Sequence, residues 1–466
     1  MHQMSRVLWI AGLLLSSFTS PGRAQVKVLG ADERFKADIL VVVAHPDDEG
    51  AVTPYLARAI YDLHKRVAVV YGTHGGSGAN NYGREHAAGL ADIREMEARE
   101  SCARVGIKNV WFLDGKDTAS QNVLNSLANW GHGANLEKLV ELVRLTRPDV
   151  IITSFPGVFI GENHGDHQAA GVLATEAFDL AGNPVVFPSQ LTGASAHREI
   201  YLQNLQTWQV KKIYYFPDAN DEKQFSGMGP AYSIKEVSPS QKKPYWRIAL
   251  DAATTHLTQY PADIERIQKM SDAEAEKMMS DPDAAWWTEP ETLVFGKSYY
   301  LSKATDDVFA NLGGEPDRCL EVYAKIQHPA TETIVKLAGP WGYYQSFREA
   351  HCLESLRVAD PPEIAVMAGA QVYVPLLILH GDKKALKLQI KVEVPKGWKV
   401  ISGEGEIVIP AEATSEMRVE LETPKLNASE LKANGAQEIV VHALADGAPA
   451  GEIRLRVQLR AHGLPQ

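Results

Sequence analysis

Cysteine is scarce: 466 residues hold only Cys102, Cys319 and Cys352. That excludes a disulfide framework, and the spacing is not that of a zinc ribbon. Cys102 falls in an amphipathic stretch and reads as a small buried apolar residue. Cys319 and Cys352 can pair in an oxidising compartment, a question the sequence leaves open. Basic blocks are also missing. With 47 Lys and Arg against 58 Asp and Glu, the net charge is −11, a poor match for nucleic acid or an anionic membrane surface. No run approaches the roughly 20 apolar residues of a membrane span, and neither repeats nor low-complexity tracts occur. What remains, 45% hydrophobic and 23% charged residues, is an ordinary water-soluble composition, long enough for two or three domains.

The first residues form a separate unit. Met1 to Arg6 are basic, Val7 to Leu15 are apolar, and Gly22-Arg23-Ala24 offers small residues for a cut after Ala24. This layout predicts a signal peptide over residues 1–24, and hence an exported chain, periplasmic or secreted, with no membrane span once it is removed.

From Asp38 to about Asn183 short apolar runs alternate with helical stretches. Ile39–Val43, Val67–Tyr71, Val110–Leu113 and Val150–Thr153 read as strands, with Lys212–Phe216 as a further one. Helices are expected over Ala51–His64, Glu85–Val105 and about Leu136–Leu145, and less distinctly over Trp246–Gln259 and Ser271–Ser280. Strands apolar on both faces and separated by helices imply an α/β fold, a doubly wound, mostly parallel, Rossmann-like sheet. The last hundred residues differ. Leu386–Val394 and Ile453–Arg460 alternate apolar and polar residues without a break, and Pro395-Lys396-Gly397 marks a turn before Trp398, a core anchor. That pattern implies a C-terminal all-β sandwich of Ig-like type. The expected division is residues 30–300 for the α/β domain, 301–360 as a connecting region and 361–462 for the sandwich.

Chemistry concentrates at two strand ends. Ala44-His45-Pro46-Asp47-Asp48-Glu49 follows the first strand, and Asn163-His164-Gly165-Asp166-His167 follows the fourth. In a parallel sheet both turns lie on one edge, where such folds bind ligands. A His and a carboxylate three apart on a strand-to-helix turn can face one ion, with Asp47 beside them. Two imidazoles, one carboxylate and an open position are a catalytic zinc composition. Adjacent acids in a shared low-dielectric pocket also call for a cation.

These motifs resemble the two signatures of the PIG-L/LmbE family of zinc-dependent N-acetyl sugar deacetylases. Arg94-Glu95-Met96-Glu97 is similar to the family's Arg-x-x-Glu helix, and His256-Leu257-Thr258-Gln259 to its His-x-Ser-Gln pattern with Thr for Ser. The resemblance spans roughly Asp38 to Phe295. It implies that His45, Asp48 and His167 hold the metal, Zn2+ or another divalent cation. It makes Asp47 the general base, and His164 the group that stabilises the oxyanion or protonates the departing amine. Asp166 would orient His164, and Arg94 would bind substrate. The chain departs from the pattern at Gly165, where Pro is frequent, and at Glu162, where some members carry Tyr.

Milder readings apply elsewhere. Gly75-Gly76-Ser77-Gly78 is a rim loop, since no Lys-Ser/Thr follows as in a phosphate cradle, with His74 and His86 as rim residues. Trp286 and Trp287 read as core in preference to a sugar platform. The expected activity is removal of acetyl from an N-acetylated amino sugar or glycoconjugate, such as an N-acetylglucosamine derivative. Two alternatives stand: an amidase for another acylated amine, or an exported carbohydrate-binding or surface protein with an inactive α/β domain. The sandwich's role and the oligomeric state stay open.

Overall fold

The computed structural model describes residues 31–157, 164–191, 199–202, 205–216, 225–281, 286–317, 333–356, 361–426, 430–431 and 435–460. The expected signal peptide, Glu162, Asn163 and Cys319 lie outside them.

The α/β domain runs in chain order β1 (Ile39–Val43), α1 (Thr53–Tyr61), β2 (Val67–Thr73), α2 (Ala88–Arg104), β3 (Asn109–Gly115), α3 (Val123–Trp130), α4 (His132–Thr146), β4 (Val150–Ser154), α5 (Gly165–Leu180) and β5 (Lys212–Phe216). It continues with β6 (Ala231–Tyr232), α6 (Tyr245–Ala253), α7 (Pro261–Lys269), α8 (Asp272–Met278), β7 (Glu291–Thr292) and β8 (Val294–Ser298). Its main sheet has the order β3-β2-β1-β4-β5-β8, parallel except for β8. Every residue of β1, β2, β4 and β5 is buried. Alternate side chains of β1 enter different cores. Leu40 and Val42 meet Leu139, Val143 and Leu173 of α4 and α5, whereas Ile39, Val41 and Val43 meet Leu56, Ala98 and Ile248 of α1, α2 and α6. The strand order reverses between β1 and β4, so their following turns sit side by side, the place where open α/β sheets bind ligands.

Two elements differ from the sequence reading. α3 was not expected. The Asn122 side chain accepts from Leu124 N at 3.0 Å to start it, and Gly131 at φ 65° ends it. Its Trp130 lies so close to Gly72 that a Cβ there would stand 2.1 Å from the ring. The helix expected through Gln259 stops at Ala253, because residues 256–259 are drawn to partners described below. Cys102 is buried and free, as expected, and Cys352 is disulfide-bonded.

The C-terminal β region contains β9 (Ile334–Leu337), α9 (Gly339–Ala350), β10 (Glu363–Met367), β11 (Gln371–His380), β12 (Leu386–Glu393), β13 (Lys399–Ser402), β14 (Gly405–Ile409), β15 (Ala413–Glu422), β16 (Gln437–Ala445) and β17 (Ala448–Arg460). Two mainly antiparallel sheets, β10-β17-β16-β12-β14 and β13-β15-β11-β9, face each other over one core that includes Trp398. β9 comes from the stretch read as connecting region and pairs with β11 from Leu376 to Leu379. A buried ion pair joins the α/β domain to the chain after α9. Lys297 Nζ contacts both Asp179 oxygens at 2.6 and 2.8 Å and donates to His351 O at 2.9 Å.

Glu291 shows how burial shapes stability. Its carboxyl accepts from Tyr55 N at 3.1 Å, and burial pushes its pKa up to about 8 against the opposing effects of that bond and Arg58. Because the folded pKa exceeds the unfolded one, the folded chain keeps the proton longer. The stabilisation is complete below the unfolded value of 4.5 and is lost as pH rises through about 8. Glu291→Gln keeps an acceptor and removes the titration. At pH 9 it should therefore be more stable than wild type by on the order of a few kcal/mol, and this advantage should vanish at pH 5. Denaturation midpoints that stay parallel from pH 5 to 9 would contradict this.

Candidate metal centre

The turn after β1 places Asp47 at φ 123°, a region costly for any residue with a Cβ. The strain turns the neighbouring carboxylates apart. Asp48 folds back, with Oδ2 accepting from His45 N at 2.7 Å and Ala44 N at 3.1 Å. The Asp47 carboxylate instead accepts from the Tyr260 hydroxyl at 2.7 Å. Across the sheet edge, His164 caps α5 with its Nδ1 accepting from Asp166 N at 3.2 Å, and His167 follows one turn later.

The two turns converge. His45 Nδ1 stands 3.1 Å from His167 Nε2, Asp48 Oδ2 lies 3.5 Å from His45 Nδ1, and Asp48 Oδ1 lies 3.3 Å from His167 Nε2. Ligands around tetrahedral zinc at about 2.0–2.1 Å stand about 3.3–3.4 Å from one another, so the three donors have the right spacing for one ion. They are one of two His/Asp groups of metal-holding geometry among the described residues, the other being His45, His164 and Asp166.

Hydrogen bonding also fixes the tautomer. Asp166 Oδ2 accepts from Thr118 N at 2.7 Å and lies 3.2 Å from His45 Nε2. A carboxylate there calls for Nε2–H on His45, which leaves the Nδ1 lone pair facing His167 and Asp48. This carboxylate–imidazole support is typical of metal-ligating histidines. It also corrects an expectation: the Asp166 carboxylate holds His45, and His164 receives only its backbone N–H. From the first turn of α5 the short Asp side chain reaches across to the β1 turn.

The electrostatics favour a cation. With no ion bound, burial opposes charge on His45, yet Asp48 and Asp166 raise its pKa to about 10, so Nδ1 carries a proton that a bound cation would replace. Burial would raise Asp48, but His167 and His45 hold it well below the usual carboxylate range. Burial and the Asp48 charge raise Asp47 to about 6, so it is a carboxylate at neutral pH with increased basicity. Burial and the two neighbouring histidines lower His164, which keeps it neutral.

A buried layer braces the first turn. Glu49 Oε1 receives Ser101 Oγ at 2.7 Å and meets His256 Nε2 at 3.1 Å. Thr258 gives both its N–H and its hydroxyl to Glu97, at 2.8 and 2.6 Å, and Gln259 Nε2 donates to Pro46 O at 2.7 Å. These partners pull residues 256–259 out of the helix expected there. Arg94, expected to bind substrate, spends two donors on Gly75 O and Ala79 O, each at 2.9 Å, and so shapes the glycine loop. His74 stacks on Phe112 at 4.8 Å, and His86 is exposed. Gly165 has a structural reason: its N–H donates to Ser120 O at 2.8 Å, a bond Pro cannot make.

Beside Asp47 and Asp48 opens a cleft of about 380 Å³, walled by His256, Tyr260, Trp286 and Trp287. Trp287 belongs to a core and donates to Gly50 O at 2.7 Å. Trp286 is only partly buried, with its ring 5.9 Å from that of Tyr260. Thr118 and Tyr260 were not legible in the sequence. One acts through a backbone N–H and the other through a lone hydroxyl, and neither belongs to a motif.

Part of the chain also matches known proteins. Residues 40–178 match the family PIG-L: GlcNAc-PI de-N-acetylase. The chain is 24% identical over 255 residues, 47% of its length, to 82% of the 1D-myo-inositol 2-acetamido-2-deoxy-alpha-D-glucopyranoside deacetylase of Thermobifida fusca (strain YX). It is 27% identical over 158 residues, 33% of its length, to 68% of a probable N-acetyl-alpha-D-glucosaminyl L-malate deacetylase 2 of Bacillus cereus. Among solved structures, the N,N'-diacetylchitobiose deacetylase from Pyrococcus horikoshii overlaps 56% of this chain and 84% of its own, at 20% identity and a TM-score of 0.38. The segment from β1 to α5, which supplies both converging turns, is a PIG-L (GlcNAc-PI de-N-acetylase) family domain.

Proposed function

We propose that this chain hydrolyses the acetamide of an N-acetylated amino sugar or glycoconjugate, using a divalent cation, zinc first, held by His45, Asp48 and His167. The observation that carries the reading is the approach of His45 Nδ1, His167 Nε2 and the Asp48 carboxylate to within 3.1–3.5 Å of one another, with a second carboxylate, Asp47, beside them. The names of both curated relatives support the substrate class.

Zinc bound there supplies a Lewis acid for the acyl oxygen and a lowered pKa for water. The protein's own groups do the rest. Asp47 takes the proton of the attacking water, with its other contact to Tyr260 fixing the carboxylate plane. His164 spends its Nδ1 as an acceptor for Asp166 N–H, so in the neutral ring the proton sits on Nε2. That N–H stabilises negative charge on the acyl oxygen, the oxyanion role. Asp47 then passes its proton to the departing nitrogen, and acetate and free amine leave. A sugar-binding protein without catalysis has no use for a strained Asp47 of raised basicity beside the ligand set.

Export belongs to the same reading, supported by the basic, apolar and small-residue order of the first 24 residues and by the disulfide at Cys352. Mass spectrometry of the protein from its host should then find Gln25 as the first residue, and an intact Met1 would contradict export. Among the described residues no helix is long and apolar enough to cross a membrane.

The test of activity is acetate release from N-acetylated sugars before and after chelation. Turnover that disappears with the metal and returns with zinc supports the reading. Metal-independent turnover, or sugar binding with no acetate release, contradicts it.

A further inference from the structure

A second cleft of about 380 Å³ lies where the α/β domain meets the C-terminal sheets. Ser120, Gln121 and Asn122 line one side, and Trp341, Gln371 and Tyr373 line the other. Nothing in the mechanism uses it. We infer that this cleft is a subsite for a neutral sugar ring of the substrate, joined to the ring that carries the acetamide. The inference rests on the deacetylase reading and adds a role for the sandwich.

Four observations carry it. The first is position. The wall 118–122 is the back of the metal centre, because Thr118 N donates to Asp166 Oδ2 at 2.7 Å and Ser120 O receives Gly165 N at 2.8 Å. A Cβ on Gly165 would stand 2.6 Å from Ser120 O, so this wall and the His164–His167 turn are in direct contact. One short stretch of chain therefore serves both places, Thr118 at Asp166 and Ser120 to Asn122 at the cleft.

The second is charge: among the described residues no carboxylate, ammonium, guanidinium or imidazole lines the cleft. Arg418 stacks on the Tyr373 ring at 4.9 Å but is not part of the lining. An anionic group such as a phosphate or dicarboxylate finds no counter-charge there, whereas a neutral polyol needs none. The third is chemistry. An indole and a phenol ring offer flat apolar faces for sugar C–H groups, while the amides of Gln121 and Gln371 and the Ser120 hydroxyl serve both as donors and as acceptors. The fourth is an unmet bond. Trp341 Nε1–H is buried without a partner, a state that costs about 1–3 kcal/mol unless a ligand or water accepts it. A sugar hydroxyl becomes such an acceptor when the indole edge turns to the cleft on binding.

The experiment uses the full chain carrying Asp47→Asn, which blocks turnover, and titrates it calorimetrically with N-acetylglucosamine and with its neutral β-linked tetramer. The tetramer should bind at least about tenfold tighter. Trp341→Phe keeps a ring and loses the donor, and should cut tetramer affinity about 3–10-fold without changing that of the monomer. Tyr373→Ala, at an exposed position, is the second variant and should act the same way. Equal affinities for the two lengths, or a length advantage that both substitutions leave intact, would overturn the inference. Acetate release by the wild-type chain, measured in parallel, separates the two readings. Turnover without any length dependence sinks the subsite alone, whereas length-dependent binding that responds to Trp341, with no turnover on any sugar, sinks the deacetylase reading alone. No binding of either sugar overturns both.

Discussion

Asp47→Asn is expected to lower acetate release about 10²–10⁴-fold, the usual worth of a positioned proton-transfer group, while metal content and melting temperature stay those of the wild type. Asn has the same shape, tolerates the unusual backbone angle at this position as readily as Asp does, and still offers an oxygen to the Tyr260 hydroxyl. It cannot take a proton from water. Asp48 is the neighbouring residue but faces the other way, with Oδ2 on the backbone amides of Ala44 and His45, so it cannot stand in. Single-turnover acetate release and metal analysis on one preparation check this. A variant with wild-type turnover would remove Asp47 from the mechanism, and one that lost its metal would make Asp47 a ligand instead of a base.

Asp166→Asn is expected to weaken metal binding about 10–100-fold, the typical cost of losing a carboxylate behind a ligating imidazole. The structure supplies the reason. Asp166 is fully buried and its Oδ2 bridges Thr118 N and His45 Nε2. Without the carboxylate charge, the Nε2–H tautomer of His45 loses its support, and the Nδ1 lone pair is offered to the ion less often and less strongly. Competition against a chromophoric chelator measures the affinity directly. If Asp166 served His164, metal affinity would be unchanged and only turnover would fall.

Most of the α/β layer was legible because its strands are buried on both faces, so Ile39–Val43, Val150–Ile152 and Ile213–Phe216 stand out as unbroken runs of apolar and aromatic residues. α3 was missed because eight residues give little more than two turns of periodicity, and its ends rest on Asn122 and Gly131, which resemble ordinary loop residues. The stretch Trp246–Gln259 keeps a helical pattern past the point where the helix ends. Only tertiary partners, Glu49 for His256 and Glu97 for Thr258, overrule it. The sandwich was readable from alternation in β12 and β17, but β9 is too short at four residues to be seen without its neighbour β11.

In the site, both turns were legible as motifs, and their meeting follows from parallel topology. The partner of Asp166 was not, because the spacing to His164 and the reach to His45 are both open to a side chain on the first turn of a helix. Arg94 carries the same lesson. A basic residue near a site reads as a substrate anchor, yet its guanidinium is engaged by Gly75 and Ala79.

The central claim is that the turns after β1 and β4 close around one cation. Anomalous diffraction at the zinc edge from crystals of the full chain tests it most directly. A single peak within coordination distance of His45 Nδ1, Asp48 and His167 Nε2 is the predicted result. An active, zinc-treated chain with no peak there, or with its ion bound elsewhere, would contradict the account.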